Sequence, residues 1–284
     1  MKLGLSSCDK PLNADTFRSY RHNGISLMEV SHGYIADHEA CDFENVKALA
    51  EEYGVELWSY HLPFCPFEDI DISTPSMAEE SVKMILSYID RASVCGFKVY
   101  VIHPSTEPIE ESDRPARMEC AKKSLATIAE YLKGKNATLA VEDLPRTCLG
   151  RNSSDILELC SAHPDLRACF DTNHLLGEDI GEFIRKTGHL YVTTHVSDYD
   201  FINERHWLCG EGKIDWLSLK KELENVGYDG PWLYEISLNG SEPTIDRDRC
   251  LTYSDFAENY RQIMSGNVPE GVGRGKENLP MFVK

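Results

Sequence analysis

The chain has 284 residues, a formal net charge of −18 and a hydrophobic content of 42%. That length is near the size of a complete (β/α)8 barrel and large enough for a substantial core. The acidity opposes non-specific binding to phosphate backbones, which counts against a nucleic-acid substrate. No apolar run approaches the roughly 20 residues that span a membrane. Ten cysteines are scattered without a CxxC pair, and Cys95, Cys160 and Cys169 sit in apolar contexts. This pattern suits reduced, buried thiols and predicts a cytoplasmic protein. The opening, Met1-Lys2-Leu3-Gly4-Leu5, runs straight into a strand-like segment and lacks the pattern of a signal peptide.

Eight strand candidates follow in chain order: Lys2–Ser7, Ile25–Ser31, Val55–Leu62, Lys98–Pro104, Thr138–Leu144, Arg167–Thr172, Leu190–Ser197 and Trp232–Ser237. Each is a short apolar run of the kind that forms buried parallel strands. Amphipathic segments lie between them. Phe43–Tyr53 gathers Val46, Leu49 and Ala50 on one face, and Met77–Val94 gathers Met84, Ile85, Tyr88 and Ile89. Ala116–Leu132, Ser153–Cys160, Trp216–Val226 and Tyr253–Ile263 behave alike. Ser153-Ser154-Asp155 marks a helix start, and Gly54, Gly96, Gly134 and Gly227 follow helical runs as stops. Alternation of this kind predicts an α/β TIM barrel over residues 1–265. A doubly wound open sheet is the runner-up, but no glycine fingerprint follows the first strand. Residues 266–284, rich in Gly, Pro and charge, are expected to form a tail that is loose or packed across the barrel bottom.

Four of the runs end in residues that bind divalent cations: Thr138–Glu142, Arg167–Asp171, Tyr191–His195 and Trp232–Glu235. In a barrel the C-terminal strand ends converge on one face, so Glu142, Asp171, His195 and Glu235 would meet there. Three carboxylates and one imidazole suit Mn²⁺, Mg²⁺, Co²⁺ or Zn²⁺ and disfavour copper. With no thiolate at the strand ends, a structural zinc site is not expected. His61, His103 and Glu29 also close apolar runs, and His174 follows Asp171 by three positions. Any one of these alone reads most simply as a hydrogen-bonded structural residue; their common phasing with the strands argues for a site. His22, His32, His38, His163 and His189 fall in early loops, at helix ends or before a strand, and are left outside it. The run Glu110–Arg117 reads as a solvated loop leading into a helix.

The long interval between His195 and Glu235 leaves room for a functional loop, Val196–Asp215, carrying Asp198, Glu204, Arg205 and His206. Trp207 in that loop is either a lid over the substrate or a packed anchor. A cation at the strand ends would hold two adjacent oxygens of a hydroxy-carbonyl substrate and stabilise an enediolate after proton removal. Glu142 and Glu235 would then serve as an acid and base pair. Two glutamates on opposite faces of a planar intermediate give epimerisation, and one moving a proton between adjacent carbons gives isomerisation. His61, His103, His174, Arg205, His206 and Glu29 would bind substrate, with the polar groups orienting hydroxyls, a carboxylate or a phosphate.

At these residues the chain resembles the xylose isomerase-like TIM barrels, including sugar phosphate isomerases/epimerases and ketose 3-epimerases. The resemblance runs over about residues 1–265. Its marks are Glu29, Val141-Glu142-Asp143-Leu144-Pro145, Phe170-Asp171-Thr172-Asn173-His174, His195-Val196-Ser197-Asp198 and Tyr228-Asp229-Gly230-Pro231 before Glu235. It implies that Glu142, Asp171, His195 and Glu235 bind one divalent cation, that the two glutamates transfer the proton, and that His174 contacts a sugar or sugar phosphate. Asp143 departs from the Asn that many relatives carry. A second branch, the endonuclease IV-type enzymes that cut DNA at abasic sites, carries a trinuclear zinc centre. His61, His103, Glu142, Asp171, His174, His195, His206 and Glu235 resemble its ligands, and Arg205-His206 with Gly210-Glu211-Gly212 resembles one of its segments, with Glu204 in place of Asp. The acidic total and the absence of Arg- or Lys-rich early loops favour the sugar enzyme. A barrel that has lost catalysis and serves as a binding module would be expected to have lost a ligand, which this set has not. Exposed barrel faces of this kind often pair, so a homo-oligomer is compatible with the sequence.

Overall fold

Eight parallel strands form one sheet in the order β7-β6-β5-β4-β3-β2-β1-β8 in the computed structural model, which describes residues 1–35, 41–65, 69–239, 244–276 and 279. The strands are β1 Leu3–Ser6, β2 Leu27–Ser31, β3 Glu56–His61, β4 Val99–Ile102, β5 Thr138–Glu142, β6 Arg167–Asp171, β7 Tyr191–His195 and β8 Trp232–Tyr234. Val196, just beyond β7, pairs with Tyr234 at the end of β8, which brings the sheet round into a barrel. All eight lie within the predicted segments. Among the described residues no open doubly wound sheet forms.

The helices are α1 Ala14–His22, α2 Phe43–Tyr53, α3 Ala78–Ala92, α4 Arg114–Leu132, α5 Ser153–Cys160, α6 Ile180–Thr187, α7 Trp216–Asn225 and α8 Tyr253–Met264. Helices α2 and α5 have their predicted bounds. Helix α2 is capped by Asp42 and stopped by Gly54 at φ 65°, a left-handed conformation that glycine adopts without Cβ strain. Helices α1 and α6 are additional to the segments read from periodicity. Both are short, and both begin at a capping side chain: Asn13 accepts from the Asp15 and Thr16 amides, and Asp179 accepts from Glu182.

Side-chain alternation along the strands separates two cores. Tyr100, Ile102, Leu139, Val141 and Phe170 point outward into the large cluster shared with the helices. Val99, Val101, Ala140 and Cys169 form a separate cluster inside the barrel. The same parity carries His103, Glu142 and Asp171 to the interior at the C-terminal rim, two residues past Val101, Ala140 and Cys169. Barrel closure thus converts a one-dimensional pattern into a convergent site.

The charge run Glu110–Arg117 differs from expectation, because two of its arginines turn inward. Arg114 starts α4 two residues before the predicted Ala116, donates to the Thr147 and Cys148 carbonyls and pairs with Asp155. Arg117 donates to Asp71 at 2.6 Å. Asp71 is buried and also accepts from Ser73 N (2.9 Å), Ser73 Oγ (2.7 Å), Thr74 Oγ1 (2.7 Å) and Thr106 Oγ1 (2.7 Å). This cluster ties the loops after β3 and β4 to α4. Burial alone would raise the Asp71 carboxyl, but the hydrogen bonds outweigh it and hold the group below its ordinary value of 3.8. Asp71→Asn is expected to cost about 3 kcal/mol, since it leaves the half-buried Arg117 without its counter-charge. A carboxyl held low stabilises the fold above its unfolded value and loses that contribution as pH falls through the folded one. The gap in denaturation midpoint between parent and variant should therefore be full at neutral pH and shrink in acid below about pH 4, a range set by the ordinary value of 3.8. A constant gap over that range would show that Asp71 acts by packing alone.

The described stretch of the tail, residues 266–276, runs beside the loop after β7 and not across the barrel bottom. Its strand β10, Arg274–Gly275, pairs antiparallel with β9, Ile245–Asp246. Gly275 lies against the Trp207 ring, and Lys276 N donates to Thr244 O at 2.9 Å. The tail thus braces the loop after β7 near the C-terminal rim of the barrel. Trp207 is 2% exposed and donates from its indole to Thr244 Oγ1 at 3.1 Å, which makes it a packed anchor. His38 lies outside the described residues. No helix among the described residues is long and apolar enough to cross a membrane.

Candidate metal centre

Glu142, Asp171, His195 and Glu235 each present a ligand atom, all within 4.8 Å of one another. The last residues of β5, β6 and β7 supply the first three, and Glu235 follows β8 directly. His195 Nδ1 lies 3.1 Å from Glu142 Oε1, 3.4 Å from Glu235 Oε2 and 3.9 Å from Asp171 Oδ2. Its other nitrogen, Nε2, is 3.0 Å from Glu29 Oε2, which also accepts from Ser59 Oγ at 2.8 Å. Glu29 therefore stands behind His195 and orients it. Asp171 Oδ2 is buried without a hydrogen-bond partner. Three carboxylates around one imidazole nitrogen, one of them with an orphaned oxygen, fit a divalent cation.

Three further donor groups adjoin this one, and the first, His61 with His195 and Glu235, shares two of its residues. His61 Nε2 and His103 Nε2 lie 3.1 and 3.2 Å from Glu142 Oε2, so the glutamate faces both groups at once. On the other side, His174, Glu204 and His206 form a third group. His174 Nδ1 lies 2.7 Å from the Asp143 carbonyl, and its Nε2 is 3.6 Å from Asp171 Oδ2 and 3.7 Å from Glu204 Oε2. His206 is held at φ 51°, a left-handed conformation that costs a β-carbon-bearing residue energy and marks a constrained position. The constraint comes from both sides: Arg205 N donates to Asn173 Oδ1 at 2.9 Å, and Trp207 pairs with Asp198.

Burial and mutual contact set the protonation of the cluster. Burial would raise the Glu142 carboxyl, but His195 and His103 beside it pull it well below the usual range. Burial would likewise depress His61, yet its hydrogen bond to Glu142 lifts it to about 9. His103 shares that carboxylate but stays below its ordinary value, because burial prevails and the neighbouring His61 opposes a second positive charge. Burial, with Glu235 and Glu142 adding to it, raises Asp171 to about 6. Burial also lifts the Asp143 carboxyl well above the usual range. Its Oδ1 accepts from Asp171 N at 2.7 Å, which fixes the backbone beside the metal-facing carboxylate.

The structure thus brings together all of the sequence-predicted site residues except Arg205. That side chain is buried and donates through Nε to Asp200 Oδ2 at 2.9 Å, which ties it to its own loop. Glu204, read from the sequence only as a polar residue of the long loop, joins the rim, and Phe64 is a member that residue-by-residue reading passed over. Phe64 stacks on His103 with ring centroids 4.0 Å apart and tilts against His61 at 5.2 Å. Its position three residues beyond the end of β3 was the available signal. Of the histidines set aside, His32 is buried and bonded to Tyr60 Oη at 2.8 Å, and His163 pairs with Glu130 at 3.2 Å; neither belongs to a donor group.

Fold and site together define an α/β barrel with a buried carboxylate and imidazole cluster at the C-terminal strand ends. The family model described as xylose isomerase-like TIM barrel matches residues 17–250, and the chain belongs to that family. It is 23% identical to a fructoselysine 3-epimerase of Shigella flexneri over 272 residues, 88% of this chain and 96% of the relative. It is 24% identical to a ketose 3-epimerase of Arthrobacter globiformis over 239 residues, 81% of this chain and 79% of that one. Among solved structures, a D-tagatose 3-epimerase-like protein superposes with a TM-score of 0.77 at 19% identity, over 93% of this chain and 97% of the other.

Proposed function

We propose that the chain is a divalent-metal-dependent sugar epimerase or isomerase acting on ketoses or their phosphates. The observation that carries this reading is the pair of glutamates, Glu142 and Glu235, both beside His195 Nδ1 at 3.1 and 3.4 Å, with Asp171 Oδ2 buried near them without a hydrogen bond. Relatives named as fructoselysine and ketose 3-epimerases along most of the chain supply the substrate class. Glu142, Asp171, His195 and Glu235 would hold one Mn²⁺, Mg²⁺, Co²⁺ or Zn²⁺, which polarises the substrate carbonyl as a Lewis acid. The carboxylates of Glu142 and Glu235 take the proton from the carbon beside that carbonyl and return it. His61 and His103, fixed on Glu142, orient hydroxyls, and His174 is aimed by the Asp143 carbonyl. Arg205, anchored on Asp200, holds the loop that presents His206 rather than the substrate.

The three adjoining donor groups favour one second reading, a multinuclear zinc enzyme that cuts DNA at abasic sites. The net charge of −18 weighs against a nucleic-acid substrate. Incubation of the Mn²⁺-loaded protein with fructose, tagatose and fructoselysine in D2O separates the readings. Deuterium appearing at the carbon beside the carbonyl, with a new epimer or isomer, is the expected result. Absence of exchange in every sugar, with cleavage of an abasic-site duplex by the zinc-loaded protein, would replace the sugar reading with the second.

A further inference from the structure

A recess of about 630 Å³ opens beside the metal centre on the same face of the barrel, between the loops that follow β5, β6 and β7. Leu176, Phe201 and Ile202 supply its apolar wall, and Arg146 lines the side toward the centre. Phe201 and Ile202 are 43% and 39% exposed, two of the few large hydrophobic side chains that the described residues leave in water. Water contact of that kind, concentrated in a concave site, marks a surface that a ligand covers.

The wall is held before any ligand arrives. The Tyr199 ring packs against Phe201 with centroids 4.7 Å apart, and Tyr199 Oη donates to the Leu175 carbonyl at 2.5 Å. Asp200 Oδ1 accepts from Ile202 N at 2.9 Å and Asn203 N at 3.2 Å, closing the turn that presents both residues. Arg146 separates recess from centre. Its guanidinium donates to Glu107 Oε1 at 2.8 Å and Asn203 Oδ1 at 2.7 Å and pairs with Glu204. Glu204 in turn lies 3.7 Å from His174 Nε2, and His174 lies 3.6 Å from Asp171 Oδ2. Two side chains therefore span the distance from the recess wall to a residue of the metal centre. Both arginines of the lining are already paired to carboxylates, Arg146 to Glu107 and Glu204 and Arg151 to Glu111 at 2.8 Å, so the recess offers apolar walls and flat guanidinium edges, which suit a planar apolar group better than an anion.

We propose that this recess is a subsite for an aromatic or similarly apolar substituent carried by a ketose whose sugar part is held at the metal centre. The proposal rests on the sugar reading of that centre. It is tested by calorimetric titration of the Mn²⁺-loaded protein with D-fructose and with 1-deoxy-1-(p-tolylamino)-D-fructose, and again with the variants Phe201→Asn and Ile202→Ser. Both residues are exposed, and Asn tolerates the left-handed backbone at position 201, where φ is 63°, so the variants should fold. The aryl ketose is expected to bind about tenfold more tightly than fructose, the gain of about 1.4 kcal/mol that one well-buried ring supplies. Each variant should lose that gain while fructose affinity stays unchanged. Aryl ketose binding that depends on Phe201, with no binding of fructose, upholds the recess and removes the sugar reading of the centre. Equal affinities for the two compounds, a gain that survives both variants, or binding of neither compound overturns the proposal.

Discussion

Glu142→Gln is expected to lower turnover on the order of 10³-fold, and Glu235→Gln by a similar factor, because glutamine keeps the shape but cannot take up the proton. The two variants should differ in a second respect. Glu142 faces His61, His103 and His195 at 3.1 to 3.2 Å and so takes part in two donor groups. Its amide leaves three imidazoles without their shared counter-charge, and cation affinity should fall along with turnover. Glu235 also belongs to two donor groups, but its contacts are longer: 3.4 Å to His195 and 4.0 Å to His206. Its variant should keep most of the cation affinity and fail chiefly in kcat. Steady-state kinetics with metal analysis of each purified variant checks both statements. Near-full kcat in either variant would remove that glutamate from proton transfer.

Metal removal has the second large effect. Chelation should abolish activity and lower the melting temperature by about 5–10 °C, the consequence of losing about 2.7 kcal/mol of binding stabilisation at a hundredfold excess over Kd. The physical cause is the crowding of Glu142, Asp171 and Glu235, whose oxygens lie within 4.8 Å of one another in a buried site. Without a cation their repulsion is relieved by protons. Burial and the neighbouring carboxylates lift Asp171 to about 6, and the Glu142 contact lifts His61 to about 9. Reloading should therefore release protons, measurable by calorimetry in buffers of different ionisation enthalpy. Elemental analysis of protein purified without chelator decides the nuclearity. About one ion per chain fits the Glu, Asp, His, Glu set alone. Close to three zinc ions would mean that the flanking groups around His103 and Glu204 are filled as well, and would point to the abasic-site reading. A chelated protein with unchanged melting temperature and activity would remove the cation from both fold and function.

The strands were legible because each barrel strand is a short apolar run buried on both faces, a property of neighbouring residues that needs no knowledge of the rest of the chain. The rim residues were legible for the same reason. Glu142, Asp171 and His195 end their strands, and Glu235 sits one step beyond Tyr234. The long loop was harder. Asp198 lies at its centre and accepts from the Gly210 and Ile214 amides and from the Trp216 indole at 2.8 to 3.1 Å. Those partners are 12 to 18 residues away, and no periodicity announces such pairings. The inward turn of Arg117 onto Asp71 escaped a local reading because its partner lies 46 residues earlier.

Sequence alone determined the order of the eight barrel strands, the donors at their ends and the acidic balance, since these follow from local alternation and from side-chain chemistry. Tertiary structure decided what faces what. Barrel closure set Glu142 between two donor groups and put Glu29 behind His195. It tied Arg205 to Asp200, brought the tail up against Trp207, and opened the recess beside Arg146. Each of these depends on contacts between residues far apart in the chain, whose geometry exists only once the sheet has closed.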